Sequence, residues 1–166
     1  MKRATRNAQE QGAAAVEFGL VVPVLVMLVF GMIQFGFYFS QGAGLATGAR
    51  SAARLGSVNL VTTATCAKVI EAAREQTSGL GLPMSAVKVT VSRRTSAGTT
   101  DVCAATGSAT PATGASAMPC ELPSTAVENA TLLVKSEYPG AGVSVPLVGK
   151  WSLPLSAVGA YRCEYR

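Results

Sequence analysis

Glu17 is the residue whose type and position point most directly to chemistry, because it is a single carboxylate just inside a long apolar run. It follows the small-residue segment that begins with Gly12 and Ala13. If the bond after Gly12 is cut, Ala13 gains an ammonium group and Glu17 becomes the fifth residue of the new chain. Opposite charges in hydrocarbon are strongly driven to pair, so the carboxylate of one subunit could capture the N-terminus of another. The alternative is an interfacial acid that meets the positive end of its own helix.

Four cysteines form the second set of candidate residues, and all of them follow the apolar run: Cys66, Cys103, Cys120 and Cys163. An even number of cysteines in a region expected outside the cytoplasm indicates disulfides, and four cysteines allow three pairings. We favour Cys103 with Cys120, which would close the polar loop between them, and Cys66 with Cys163, which would tie the helical part to the last strand. With no His and no CxxC pair, the spacing does not indicate a metal site.

Catalytic and nucleic-acid-binding patterns are missing from the sequence. It has no His, its acids are scattered, and it contains no phosphate-binding glycine loop or nucleophile elbow. The net charge of +5 includes one adjacent basic pair outside the first twelve residues, Arg93-Arg94, with no interleaved aromatic residues. We therefore expect neither an enzyme nor a cofactor, and no nucleic-acid partner.

The element that positions Glu17 is a predicted transmembrane helix over about residues 18–39. This run contains Gln34 as its only strongly polar side chain, and its roughly 22 residues would cover the roughly 30 Å hydrocarbon core of a bilayer. Bases outnumber acids before the run, with Lys2, Arg3 and Arg6 against Glu10. The positive-inside tendency then predicts a cytoplasmic N-terminus and an extracytoplasmic C-terminal domain.

Beyond the apolar run the periodicity predicts a small α+β domain. The first helix is expected to continue to Gly56, as one helix over residues 13–56 with its outer half resting on the domain. A second helix should start after Thr65, whose side chain can cap it, and end at Gly79. Alternation predicts strands around 87–91, 127–138 and 157–165, in an antiparallel sheet of three or four strands. Residues 95–126 are poor in large apolar groups and read as a surface loop held by a disulfide.

At Gly12, Ala13, Glu17 and Phe18 the sequence resembles prepilins that membrane prepilin peptidases cut, specifically those of the Flp/Tad type. The run GAAAVEFGLVVPVLVMLVFGMIQFG is similar to the TadE-like family of minor pseudopilins. The resemblance covers residues 12 to about 56, and the closing segment 153–166 also looks like the family's last strand. It implies a type IV pilin-like fold with a leader peptide over residues 1–12 and a head domain over 57–166.

The resemblance also implies roles and partners. Gly12 would be the last leader residue, Ala13 the mature N-terminus, and Glu17 a residue for both recognition and subunit assembly. Phe18 takes the place often held by Tyr in the major Flp pilins. Expected partners are the prepilin peptidase, other pilin subunits, the inner-membrane assembly platform and the lipid bilayer. The chain is much longer than the major pilins, which favours a minor subunit with a globular head.

Two rival hypotheses come from other classes. A single-pass membrane-anchored extracellular binding or receptor protein would keep its N-terminus uncleaved and give Glu17 no task. An ordinary secretory signal would be cut after the apolar run, but the run is too long and lacks a clear small-x-small exit. Cleavage after Gly12 discriminates between the pilus-assembly hypothesis and the receptor hypothesis.

Overall fold

A computed structural model shows a long helix, a short helix and a four-stranded antiparallel sheet. The structure describes residues 3–58, 65–79, 81–107, 114–120, 130–145 and 149–164. A long apolar N-terminal helix followed by a small antiparallel sheet confirms the predicted α+β class. The proposed division into residues 1–12, 13–56 and 57–166 stays a prediction.

The first helix, α1, spans Arg3–Ser57 and has 55 residues, which corresponds to a length of about 82 Å. It begins at Arg3 rather than at Ala13, because the preceding segment is rich in Ala, Arg, Gln and Glu, which are strong helix formers. Pro23 lies inside the helix, a position that transmembrane helices tolerate better than soluble ones.

The second helix, α2, spans Cys66–Ser78 and buries Val69, Ile70 and Ala73. Thr65 precedes it but makes no side-chain capping hydrogen bond, so the expected cap is wrong. A segment distant in sequence supplies the acceptors instead. The backbone N–H of Cys66 donates to the carbonyl of Ala117 at 2.9 Å, and the next N–H donates to the carbonyl of Ala115 at 3.1 Å. These bonds satisfy amides that have no partner within the helix.

Four strands form the sheet in the order β2-β1-β3-β4, and every neighbouring pair is antiparallel. Their bounds are β1 Lys88–Thr95, β2 Gly98–Ala105, β3 Thr131–Val145 and β4 Gly149–Arg162, and a short 3₁₀ helix, Met84–Ala86, precedes β1. β2 falls within the segment predicted as a surface loop, so that expectation is wrong for residues 98–105. This segment forms a strand because its backbone pairs with β1. Its sequence has few large apolar residues, so the alternation of apolar and polar residues does not predict the strand.

The predicted bounds of the two later strands are shifted. β4 begins at Gly149, eight residues before the predicted start at residue 157. Residues 127–129 and 165, at the ends of the predicted strands, lie outside the described residues. Register shifts occur between Val91 and Ser92 and between Tyr138 and Ala141, where one strand carries additional residues.

The hydrophobic core lies between one face of the sheet and the outer half of α1, with α2 beside it. Val89, Val91, Leu132 and Val134 from the two central strands are fully buried, as is Leu45 of α1. This arrangement confirms that the outer half of the long helix packs on the sheet. The opposite face carries charged residues and stays exposed, as expected for an antiparallel sheet with one buried side.

Two glycines allow α1 to approach its neighbours closely. A Cβ atom at Gly159 in β4 would collide with the backbone carbonyl of Ala49 in α1. A Cβ atom at Gly48 would lie 2.6 Å from the carbonyl oxygen of Ala73 in α2. Backbones therefore meet almost directly at both interfaces, which fixes the position of α1 on the head.

Candidate functional site

The residues of the predicted processing and assembly site all lie on α1. Helical backbone runs without interruption through Gly12, Ala13, Glu17 and Phe18. Positions 13 and 17 are four residues apart, so they share one face of the helix and are separated by about 6 Å along its axis. A new N-terminus at Ala13 would thus lie on the same side of the helix as the carboxylate of its own chain.

The side chain of Glu17 is exposed on a helix surface that is otherwise apolar. Phe18 is 71% exposed, and the neighbouring Val16 and Leu20 are 65% and 71% exposed. Among the side chains that the structure describes, none forms an ion pair with Glu17. In a membrane such a carboxylate would have to find a partner on another chain or at the lipid interface, because an unpaired charge in hydrocarbon is costly.

Exposed apolar side chains cover α1 from Val16 to Phe39. The helix is long enough and apolar enough to cross a membrane, and its most apolar window buries nothing against the head. A shallow hollow on this surface is lined by Val24, Met27, Leu28, Gly31, Met32 and Phe35. The apolar N-terminal helix therefore has the properties of a single-pass membrane anchor, with a C-terminal domain beyond it.

The predicted processing site and the head lie at opposite ends of α1. Leu45 is the first residue of α1 whose described side chain is fully buried in the head core. Its position 28 residues after Glu17 corresponds to about 42 Å along the helix axis. The structure thus does not bring Glu17 near any of the four cysteines, which all belong to the head.

The disulfides join Cys66 with Cys103 and Cys120 with Cys163. The favoured pairing of Cys103 with Cys120 and of Cys66 with Cys163 is therefore wrong, and residues 95–126 are not closed on themselves. The reason is that Cys103 lies in β2, where its side chain points into the core next to the start of α2. Cys120 ends the segment that caps α2 and reaches the residue after β4.

Each disulfide links elements that are distant in sequence. The Cα atoms are 6.3 Å apart in the first pair and 5.7 Å apart in the second, with sequence separations of 37 and 43 residues. In the chain-entropy model, closing loops of this length stabilises the folded state by about 4 kcal/mol each. The head is therefore cross-linked across its layers.

Two charged groups in the head have shifted pKa values. Burial lowers the pKa of Arg74, whose Nε and Nη2 atoms donate to the carbonyl oxygen of Val87 at 3.2 Å and 3.0 Å. A hydrogen bond from Lys135 lowers the pKa of Glu137, and Lys88 contributes at 3.7 Å from across the strand pair. Arg74 joins α2 to the start of β1, and the Glu137 group links β1 to β3. Both groups therefore connect neighbouring elements of the head.

No group of three or more His, Cys, Asp or Glu side chains suited to a metal ion occurs in the part of the chain that the structure describes.

Comparison with known proteins concerns α1. Residues 12–54 match the family model of TadE-like proteins. This part of α1 is similar to TadE-like proteins. The match starts at the predicted cleavage site and ends three residues before the end of α1, so it confirms the family that the residues around Glu17 resemble. The TadE-like match does not include the head, and the resemblance of residues 153–166 stays a prediction. No curated protein and no solved structure matches the chain.

Sequence reasoning missed three features of this molecule. The close backbone contacts of Gly48 and Gly159 leave no local signal, because a glycine in a helix or strand has many possible causes. β2 lacks a run of large apolar residues, although the adjacent β-branched residues Thr99 and Thr100 are a weak strand signal. The exposed positions of Trp151 and Leu153 near the start of β4 were also missed. The only signal for a strand there was that both side chains are apolar.

Proposed function

We propose that this protein is a minor pseudopilin, an assembly subunit of a Tad (Flp) type IV pilus or a related secretion system, and that a prepilin peptidase processes it after Gly12. The observation that carries the proposal is the TadE-like match over residues 12–54, which suggests a subunit associated with a Tad pilus. Such a subunit acts structurally rather than catalytically.

The exposed apolar segment of α1, residues 16–39, supports a role in helix packing. Most of the large apolar side chains between Val16 and Phe39 are exposed, including Val24, Leu28 and Phe35 at 63%, 57% and 67%. This surface suits lipid before assembly and the helices of neighbouring subunits after it, since both environments are apolar.

Glu17 supports the proposal that neighbouring subunits recognise the processed N-terminus. After cleavage, the ammonium group of Ala13 in an incoming subunit pairs with the Glu17 carboxylate of a resident subunit. In an apolar environment an ion pair of this kind is much favoured over two separate charges. The pair sets the axial position of one helix relative to the next, because any other position leaves both charges unpaired.

The head gives the subunit a surface outside the membrane. Positive charge before the apolar run supports a cytoplasmic N-terminus and an extracytoplasmic head. Two disulfides in the head fit an oxidising compartment. The assembly platform and other pilin subunits would engage the helix, while the head remains available for adhesion or contacts at the filament tip.

Intact mass and N-terminal sequencing of the protein recovered from membranes test this proposal. The host must contain the matching prepilin peptidase. We expect a mature chain that starts at Ala13, and we expect Gly12→Leu to prevent its formation, because a bulky side chain before the scissile bond obstructs the peptidase. Gly31→Leu is the matched control, since a Cβ atom at Gly31 meets nothing within 4 Å and this position lies far from the cleavage site.

A full-length chain in the wild type, or a chain cleaved equally in both variants, would contradict processing after Gly12. An uncleaved protein that stays anchored would instead favour the membrane-anchored binding protein, and Glu17 would then be an interfacial acid.

A further inference from the structure

The last strand runs beside α1 in the same direction, away from the membrane-spanning segment. A Cβ atom at Gly42 would lie 3.7 Å from Leu155, and Gly159 meets Ala49 backbone to backbone. At the far end, Val58 forms a parallel bridge with Glu164. Increasing residue numbers in β4 therefore correspond to increasing residue numbers in α1.

This alignment places the start of β4 beside the outer end of the transmembrane segment. Four extended residues separate Leu155 from Trp151, which is about 13 Å or roughly nine helical residues. A strand parallel to the helix axis would put Trp151 level with about Ile33, and a tilted strand would put it nearer to Phe39. The membrane-spanning run predicted from the sequence ends at about Phe39, so Trp151 lies within about 9 Å of the outer end of that run.

Trp151 and Leu153, which we call the apolar tip, continue the core-facing side of β4 beyond the head. Alternate residues of a strand share one face, so the apolar tip lies on the same side as Leu155. Exposure rises along this row from 7% at Leu155 to 45% at Leu153 and 53% at Trp151. The core of the head thus ends in a large apolar surface at the membrane level.

We infer that the apolar tip inserts into the headgroup region of the membrane that α1 crosses. The occupant of this surface is lipid, because the apolar tip is continuous with the exposed apolar surface of α1 at the same depth. Phe35, Phe37 and Phe39 are 67%, 66% and 71% exposed there. Tryptophan prefers the membrane interface, where its ring is shielded from water and its indole N–H still finds polar partners.

A second contact point changes how the head sits on the membrane. A single helix leaves the attached domain free to rotate about the helix axis and to tilt with it. With the apolar tip in the interface, one edge of the sheet is held against the bilayer, and the exposed face of the sheet takes a fixed direction. This inference depends on α1 spanning a bilayer and holds whether or not the protein enters a pilus.

Trp151 is the only tryptophan of the chain, so its fluorescence reports the apolar tip directly. The full-length protein is reconstituted into phosphatidylcholine vesicles, and flotation of the vesicles shows that α1 has inserted. We expect vesicles with lipids brominated near the headgroup to quench the emission strongly and those brominated deep in the chains to quench it less. We also expect poor quenching by aqueous acrylamide and an emission maximum at shorter wavelength than that of an exposed tryptophan.

The matched control moves the fluorophore along the same strand. Val158 is 54% exposed, similar to Trp151 at 53%, but lies on the opposite face and nearer to the far end of α1. In the double variant W151F/V158W we expect quenching by acrylamide and none by brominated lipid.

Two outcomes would overturn the inference. If acrylamide quenches Trp151 in floated vesicles as strongly as it quenches the relocated tryptophan of the double variant, the apolar tip lies in water. If Trp151 is shielded from acrylamide without quenching by brominated lipid, and the shielding disappears when the protein is diluted in lipid, a second copy of the chain covers it.

Discussion

Glu17 connects two separate steps of the proposed function, because the peptidase and the neighbouring subunit both meet this end of α1. It is the only acid in residues 11–39, and its neighbours on α1 are large exposed apolar side chains. A carboxylate in such a setting is stabilised by a positive charge that comes from outside its own helix. The negative charge of Glu17, rather than the size of its side chain, is therefore what its proposed role requires.

The substitution Glu17→Gln tests the charge while it keeps the size of the side chain. Relative to the mature protein in the membrane, we expect little of this variant in the sheared surface fraction, because the amide cannot form an ion pair with the ammonium group of Ala13. Quantitative immunoblots of both fractions measure the effect. Glu71→Gln, at an exposed position of α2, is the matched control and should leave incorporation unchanged. Normal amounts of the Glu17 variant in the sheared fraction would refute the pairing.

Gly159 illustrates a residue whose importance is entirely steric. We expect Gly159→Ala to lower the free energy of unfolding by about 1–3 kcal/mol, because the added methyl group forces α1 away from the sheet. Denaturant unfolding in detergent micelles measures this change. Gly79→Ala should be nearly neutral, since Gly79 is exposed and a Cβ atom there meets nothing within 4 Å. Equal unfolding midpoints for the two variants would show that the close contact at Ala49 is not formed.

At the scale of elements, the disulfides connect parts of the head that share no strand pairing. One joins the start of α2 to β2, and the other joins the segment 114–120 to the end of β4. The same segment caps α2 through its carbonyl groups. The disulfides thus connect the two edge strands of the sheet, β2 and β4, to α2 and to the segment that caps it.

Peptide mapping under non-reducing conditions checks this connectivity. Trypsin alone leaves Cys103 and Cys120 in one peptide, so cleavage after Met118 with cyanogen bromide must be added. We expect peptide 55–68 linked to 95–118, and peptide 119–135 linked to 163–166. Links between 95–118 and 119–135 would instead support a closed loop. Removing either native pair by double Ser substitution should cost about 2–5 kcal/mol of stability.

At the scale of the whole molecule, α1 separates the proposed processing site from the folded head, with about 42 Å between Glu17 and Leu45 along the helix axis. In the proposed function, this separation would allow the N-terminal end to be cut and to move from lipid to neighbouring helices while the head stays intact. The head in turn is connected to α1 through its outer half, so force along a filament would pass from the helix into the sheet.

The orientation of the chain is a prediction at the same scale. Alkaline phosphatase fused after Arg166 should be active in a bacterial host, because this enzyme matures only outside the cytoplasm and the positive N-terminus is retained inside. The same enzyme fused before Met1 should be inactive and is the matched control. The reverse pattern would place the head in the cytoplasm, where its disulfides would not be expected to persist.

The sequence by itself determined the parts of this protein that depend on local composition. A continuous apolar run predicts a membrane helix, alternation predicts β1 and β3, and the segment around Gly12 and Glu17 is distinctive enough to identify the TadE-like helix. Hydrophobic periodicity and short-range motifs can be recognised in the sequence without knowing what packs against them.

Only the tertiary structure decided how these parts meet. The pairing of the cysteines depends on which elements lie next to each other in space. The short distance in sequence between Cys103 and Cys120 was therefore a poor guide to the partner of Cys103, which is Cys66. The cap of α2 comes from residues about fifty positions later in the chain, and the position of Trp151 along α1 follows from the alignment of β4 with α1. These are long-range contacts, and their energies depend on distances that neighbouring residues in the sequence do not determine.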